Sequence, residues 1–221
     1  MGRLNKRQTD DMKNHSKFHL KTSNKALIIF TRNPELGKCK TRLAKTIGDK
    51  AALEIYIHLL QHTASITKQV AADKFVFYSE NIIHNDLWES KFFSKRLQKG
   101  EDLGLRMQNA FSEVFKLGYE HAMIIGSDLL ELHVTHIENA FKQLQNHDLV
   151  IGPAKDGGYY LLAMKTLHES IFKNKAWGTA SVLSDTLNDL NNFGIKLIEE
   201  LNDIDTFEDI KDNSEFQKFL R

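Results

Sequence analysis

The sequence predicts an α/β fold with a mostly parallel sheet, and two observations carry that expectation. Short runs rich in Val, Ile, Phe and Tyr recur along the chain, each bounded by polar residues, Gly or Pro. Between them lie segments whose apolar residues return every three or four positions, as on one face of a helix. Continuous apolar strands alternating with one-sided helices imply a sheet covered on both faces.

The elements follow in order. A strand is expected at 26–31, where Ala26, Leu27, Ile28, Ile29 and Phe30 run without a polar break. A helix over about 49–70 places Leu53, Tyr56, Ile57, Leu60 and Ala64 on one face, and a strand at 74–79 follows it. Leu103, Met107, Ala110, Phe111, Val114 and Phe115 form the stripe of the next helix, before a strand at 122–126. Thr135-x-x-Glu138 has the form of a capping box, with Val134, Ile137, Phe141 and Leu144 as the stripe behind it. Strands at 148–153, 159–164 and 195–200 complete the sheet, and Thr206-x-x-Asp209 reads as the start of a last helix. No repeat interrupts the pattern. One domain over 25–221 is expected, preceded by a polar, basic extension at 1–24.

Composition sets limits on partners. Apolar residues make up 41% of 221, yet no run approaches the ~20 residues of a membrane span. The opening residues lack the apolar core of a secretory signal, and the single cysteine, Cys39, excludes an internal disulfide or a Cys-based zinc site. A reducing, cytoplasmic location is expected. Net charge is +1, but residues 1–25 hold seven of the basic residues against two acids, so the remainder is acidic. Such a body lacks the broad basic face of a nucleic-acid binder. The extension reads as a solvated tail, with contact to nucleic acid or lipid as the alternative.

In open α/β sheets ligands lie beyond the carboxyl ends of the strands, so the loops there carry the functional reading. After the first strand, 33–43 contains Pro34 and Gly37 to shape a turn, then Lys38, Lys40 and Arg42. With Thr41 opening a helix, these groups suit a di- or triphosphate. A solvated basic helix start is the plainer alternative. The loop lacks the Walker Gly-x-x-x-x-Gly-Lys-Ser/Thr spacing and the Gly-x-Gly-x-x-Gly of dinucleotide folds. Cys39 reads as a small loop residue rather than a nucleophile.

Gly126-Ser127-Asp128 ends the strand at 122–126, and a strand-end carboxylate opposite a phosphate loop suits Mg²⁺ or Mn²⁺. A turn or helix cap explains the same letters. In Gly152-Pro153-Ala154-Lys155-Asp156-Gly157-Gly158-Tyr159-Tyr160, paired glycines permit close approach to a ligand, Asp156 suits a sugar hydroxyl or metal-bound water, and Tyr159 suits stacking. A hairpin with an Asp-Gly turn fits equally. Asp203 and Asp205 are candidates for a second metal ligand, or for favouring a helix start at Thr206. Trp177 is either an acceptor wall or a buried residue before a helix. His58 and His62 lack the glutamate of a zinc-protease helix, and no Gly-x-Ser-x-Gly elbow occurs.

Taken together, LIIFTRNPELGKCKTRLAKTIGDKAALEIY, Leu103-Gly104-x-Arg106-Met107, Gly126-Ser127-Asp128, the Asp156-Gly157-Gly158-Tyr159-Tyr160 string, Trp177-Gly178-Thr179 and Asp203-x-Asp205-Thr206-x-x-Asp209 resemble the radical-SAM/selenodomain-associated transferases. The resemblance covers about residues 26–210. It implies a GT-A-like, nucleotide-diphospho-sugar transferase fold, a three-layer sandwich. It places Lys40 and Arg42 at nucleotide phosphates, Asp128 at the metal, and Asp203 or Asp205 near a second ligand position. On resemblance alone, the segment 99–107, with Arg106, is expected to recognise the nucleotide. One departure is that Asp128 is followed by Leu129-Leu130, where the family usually has Asp-x-Pro.

Three functions are compatible. The first is glycosyl transfer from a nucleotide sugar to a small-molecule acceptor, with Asp128 and Asp156 at the chemistry and Gly157, Gly158, Tyr159 and Trp177 at the substrate. The second is nucleotidyl transfer from an NTP to a phosphorylated acceptor. The third is non-catalytic nucleotide binding.

Overall fold

The computed structural model describes residues 21–220. Seven strands form one sheet in the order β3-β2-β1-β4-β6-β5-β7, comprising β1 (Lys25–Thr31), β2 (Asp73–Tyr78), β3 (Phe93–Leu97), β4 (His121–Ile125), β5 (Leu149–Pro153), β6 (Tyr159–Met164) and β7 (Ile195–Leu197). The α-helices are α1 (Thr41–Ile47), α2 (Asp49–Lys68), α3 (Leu103–Lys116), α4 (Val134–Gln143) and α5 (Val182–Asp189). Only β6 runs against its neighbours, pairing antiparallel with β4 and β5. The sheet is therefore mostly parallel.

Alternation along the buried strands sends side chains to two separate cores, because successive residues of a strand face opposite sides. Leu27 and Ile29 pack with Tyr56 and Leu60 of α2 and with Ile137 and Phe141 of α4. Ala26 and Ile28 pack with Met107, Phe111 and Val114 of α3 on the other side. A third cluster joins Leu43 of α1 and Ile55 of α2 to Ile204, Ile210 and Phe216, so the C-terminal segment closes over α1 and α2. These layers form the three-layer sandwich.

Three local expectations are corrected. The strand β3 went unrecognised because Phe93-Ser-Lys-Arg-Leu alternates weakly, as an edge strand can. The cap of α4 is His133, not Thr135: His136 Nδ1 accepts the His133 backbone N–H at 2.9 Å. No α-helix starts at Thr206; Asp209 Oδ2 instead accepts the Asp205 and Thr206 backbone N–H groups at 3.0 and 2.6 Å and holds a run of turns.

Of the expected extension at 1–24, positions 1–20 lie outside the described residues. Thr22 is fixed at the sheet's base, its backbone N–H donating to Asp73 Oδ2 at 2.8 Å, and Tyr119 donates to the same oxygen at 2.6 Å. No helix among the described residues is long and apolar enough to cross a membrane.

Candidate functional site

The loop after β1 is built as a clamp. Asn33 is buried, and its Oδ1 accepts from the Glu80 backbone N–H at 3.0 Å while its Nδ2 donates to Asn81 O at 2.8 Å. This ties the end of β1 to the loop after β2. Tyr56 of α2 accepts the Arg32 backbone N–H at 2.9 Å on its hydroxyl. Pro34 and Gly37, the latter at φ +75°, bring the chain round to Cys39. Burial pushes the Cys39 thiol up, and its Sγ donates to Asn33 O at 3.2 Å, so it acts as a packed loop residue. Lys38 turns away and pairs with Glu35 at 2.6 Å.

Lys40 takes the left-handed conformation, at φ 48° and ψ 46°, immediately before α1. That region is sparsely populated by residues with a Cβ, and its use here points to a functional constraint. Its side chain is 7% exposed and reaches across to Asp128 Oδ2 at 2.7 Å, with Asp205 Oδ1 at 3.7 Å. Thr41 and Arg42 open α1 on the exposed side, and Arg42 Nη2 lies 2.6 Å from Asp205 Oδ2. Two cations and two carboxylates thus form one connected network across the carboxyl ends of β1 and β4.

This network floors a cleft of about 680 Å³, whose walls include Arg32, Gln98, Asp102, Arg106 and Ser127. Arg106 is held there by its Nε, which donates to Gly100 O at 3.0 Å. A smaller chamber of about 190 Å³ adjoins it, bounded by Met107, Leu129, Asp156, Tyr159, Trp177 and Val182. Leu103, Gly126, Asp128 and Asp203 line both spaces, so the two open on to one another at the acids.

The hairpin between β5 and β6 supplies the smaller chamber. Gly157 N–H donates to Ala154 O at 3.0 Å, and Gly158 N–H donates to Asp156 Oδ1 at 2.8 Å. Gly157 sits at φ +88°, and a Cβ there would meet Ala180 O at 2.4 Å, so the turn packs directly against the Trp177 loop. Trp177 in turn lies on Gly104 of α3, where a Cβ would come within 2.6 Å of its indole. Burial pushes the Tyr159 hydroxyl's pKa far up, beside Thr186, so what Tyr159 offers the chamber is its ring.

Asp203 is the most perturbed acid in the site. Burial, then the charges of Asp128 and Asp156, raise its pKa to about 6 against the pull of Lys40. A carboxylate cluster with this excess negative charge fits a hard divalent cation. Such an ion needs only one or two protein carboxylates, the rest of its shell being water and phosphate. Among the described residues no group of three or more His, Cys, Asp or Glu side chains converges as a ready cage. Asp205 pairs with Arg42 and Asp128 with Lys40; Asp128 and Asp203 are the two acids that line both spaces at the junction.

The structure therefore gathers Lys40, Arg42, Arg106, Asp128, Asp203 and Asp205 around one cleft, and Asp156, Gly158, Tyr159 and Trp177 around its annex. Met107, from the segment expected to recognise the nucleotide, lines the smaller chamber instead. Sequence reasoning missed Val182, since an apolar residue at helical spacing is indistinguishable from core, and Leu129, a loop leucine noted only where the family has a different pattern. It also missed the anchoring by Tyr56, which on the helical stripe reads as packing.

The chain belongs to the DUF2064 family. The family model, described as an uncharacterized protein conserved in bacteria, matches residues 62–179. No curated protein matches this DUF2064 chain. Among solved structures it is similar to a candidate nucleotide-diphospho-sugar transferase from Desulfovibrio desulfuricans G20, at TM-score 0.79 and 28% identity over 87% of this chain and 90% of that one. The fold is shared with 4-diphosphocytidyl-2C-methyl-D-erythritol synthase from Anaerococcus prevotii, at TM-score 0.58 and 12% identity over 85% and 92% of the two chains. It is shared also with a cytidylyltransferase from Leptospira borgpetersenii, at 0.57 and 12% over 84% and 83%. The DUF2064 chain has the nucleotide-diphospho-sugar transferase fold, and its similarity is to transferases.

Proposed function

We propose that this DUF2064 protein is a metal-dependent glycosyltransferase that uses a nucleotide-sugar donor and a small-molecule acceptor. The observation that carries the reading is the meeting of a cation-bearing cleft and a small chamber at Asp128 and Asp203. A donor's diphosphate needs cations, and its reacting carbon must face a second, separate space. The similarity to the Desulfovibrio protein supports a sugar as the transferred group. The motif-level resemblance to radical-SAM/selenodomain-associated transferases, a single domain over 25–221 and a cytoplasmic location belong to the same proposal.

In this reading Pro34 and Gly37 shape the loop that presents Lys40, Thr41 and Arg42 to the diphosphate, and Arg106 flanks the nucleotide. Asp128 and Asp203, with Asp205 behind them, would hold Mg²⁺ or Mn²⁺, which stabilises the departing diphosphate as a Lewis acid. Lys40 and Arg42 add fixed positive charge where negative charge develops. Asp156 orients the acceptor hydroxyl and accepts its proton. Gly158, Tyr159 and Trp177 wall the acceptor, and Gly157 seats the turn against the Trp177 loop.

Thermal stabilisation by NTPs, UDP-sugars and GDP-sugars, with and without Mn²⁺, tests the proposal. Stabilisation by a nucleotide sugar that depends on Mn²⁺ is expected. Stabilisation by NTPs alone, with pyrophosphate released in cell extract, would replace it with nucleotidyl transfer. Nucleotide binding indifferent to Asp128→Ala would leave a non-catalytic nucleotide-binding protein.

A further inference from the structure

We infer that the smaller chamber takes a compact, uncharged alcohol with an apolar body of about one ring, and rejects phosphorylated molecules. That this alcohol is the acceptor rests on the transfer reading above; that the chamber binds it does not.

The walls carry the first part of the inference. Leu103, Met107, Leu129 and Val182 present aliphatic or thioether surface, and Tyr159 and Trp177 present rings. The volume is about 190 Å³. An apolar cavity of about 150 Å³ suffices for a benzene-sized guest. A body of one ring with a short arm therefore fills the chamber, and a second ring would project into the cleft.

Charge carries the second part. The ionisable side chains that line the chamber are the three carboxylates Asp128, Asp156 and Asp203, together with the Tyr159 and Tyr160 phenols; no Lys, Arg or His is among them. The cations of the site all belong to the neighbouring cleft. With the acids free of metal, a phosphate group in the chamber would be removed from water beside like charges, and no cationic side chain of the chamber would pair with it, a double penalty. A hydroxyl meets the opposite situation. Asp156 uses Oδ1 to accept the Gly158 N–H at 2.8 Å, and its Oδ2 makes no hydrogen bond among the described residues.

The chemistry then balances. The acceptor oxygen bonds to the donor's anomeric carbon as that carbon's bond to the diphosphate oxygen breaks. The electron pair leaves with the nucleoside diphosphate, and the hydroxyl proton passes to Asp156.

A matched pair of probes tests the inference: 2-phenylethanol and 2-phenylethyl phosphate, titrated into the full chain in EDTA with neither divalent cation nor nucleotide, followed by ligand-observed NMR. The alcohol is expected to bind at least about tenfold more tightly than its ester. Thr179→Lys, which adds an ammonium at an exposed position on the chamber wall, should narrow that ratio; Asp156→Asn should narrow it too, and serves if the first variant fails to fold. Trp177→Ala should weaken the alcohol. Equal or tighter binding of the ester to the unmodified chain, no binding of the alcohol, or alcohol binding untouched by Trp177→Ala would each overturn the inference. A failed donor test would leave these titrations standing, so the two proposals fail separately.

Discussion

Lys40 Nζ lies 2.7 Å from Asp128 Oδ2 and joins the loop after β1 to the end of β4. Burial pulls the ammonium's pKa down, but Asp128, Asp205 and Asp203 outweigh that and hold it above its ordinary value. Lys40 is thus the resident countercharge of an acidic cluster. Lys40→Ala should destabilise the fold by about 1–3 kcal/mol, below the usual 3–5 for a broken buried pair because Asp128 and Asp205 keep some solvent. The double variant Lys40→Ala with Asp128→Asn should recover part of the loss. Urea unfolding of the three proteins checks this, and a double variant no more stable than Lys40→Ala would argue against the countercharge role.

Asp203 predicts a pH dependence. Its folded pKa, about 6, is raised above the unfolded value near ~3.9. For an acid whose pKa rises on folding, stability is greatest below the unfolded value and declines as pH climbs to the folded one. The decline should therefore fall between about pH 4 and 6. Asp203→Asn should abolish it and gain about 1–2 kcal/mol at pH 7.5, a figure reduced for partial solvent access. Melting temperatures across pH 4–8 provide the measurement. In the metal-dependent reading, Mn²⁺-dependent nucleotide binding should weaken as pH drops through about 6.

Asp128→Ala should abolish the effect of Mn²⁺ on nucleotide binding while the circular dichroism spectrum stays native. Calorimetric titration with and without the cation decides it. An unchanged cation dependence would remove Asp128 from the metal site.

Arg42 separates binding from stability. Its side chain is 64% exposed although it contacts Asp205, so Arg42→Ala should change stability by less than about 1 kcal/mol. Loss of a charge-assisted contact to phosphate should nonetheless weaken nucleotide binding by about 1.5–3 kcal/mol. Equal affinity in the variant would remove Arg42 from the phosphate site, and equal affinity in Lys40→Ala as well would mean that the loop holds no phosphate.

Gly104→Ala tests the seat of Trp177. The added methyl would meet Phe172 O at 2.3 Å and the indole at 2.6 Å. Overpacking of this kind costs about 1–3 kcal/mol and should displace the indole from the chamber. A shifted Trp177 emission spectrum with a lowered melting temperature is expected.

The central strands and the long helices were legible because burial on both faces leaves continuous apolar runs, as in Leu27-Ile28-Ile29. β3 was not, since an edge strand of Ser, Lys and Arg needs no such run. Lys40 and Asp128 were legible as candidate residues from their positions in loops after strands. Their direct pairing was not, because it depends on a left-handed backbone at Lys40 that no propensity predicts for lysine. Asp128 and the Asp156 loop were expected at one sheet edge, but the strand course that brings them there was not: β6 runs antiparallel to β4 and carries Tyr160 O to the Gly126 N–H at 3.2 Å.

That reversed strand divides the labour along the chain. The cleft draws most of its walls from the segment before Leu129, whereas the annex takes its hairpin and indole from 154–182, with Asp203 closing both. In the proposed reading, a lengthened or shortened hairpin turn would reshape the acceptor side while leaving the donor side unchanged. Specificity on the two sides would then diverge independently, and libraries confined to 154–158 and 176–182 would be the economical place to redirect this scaffold.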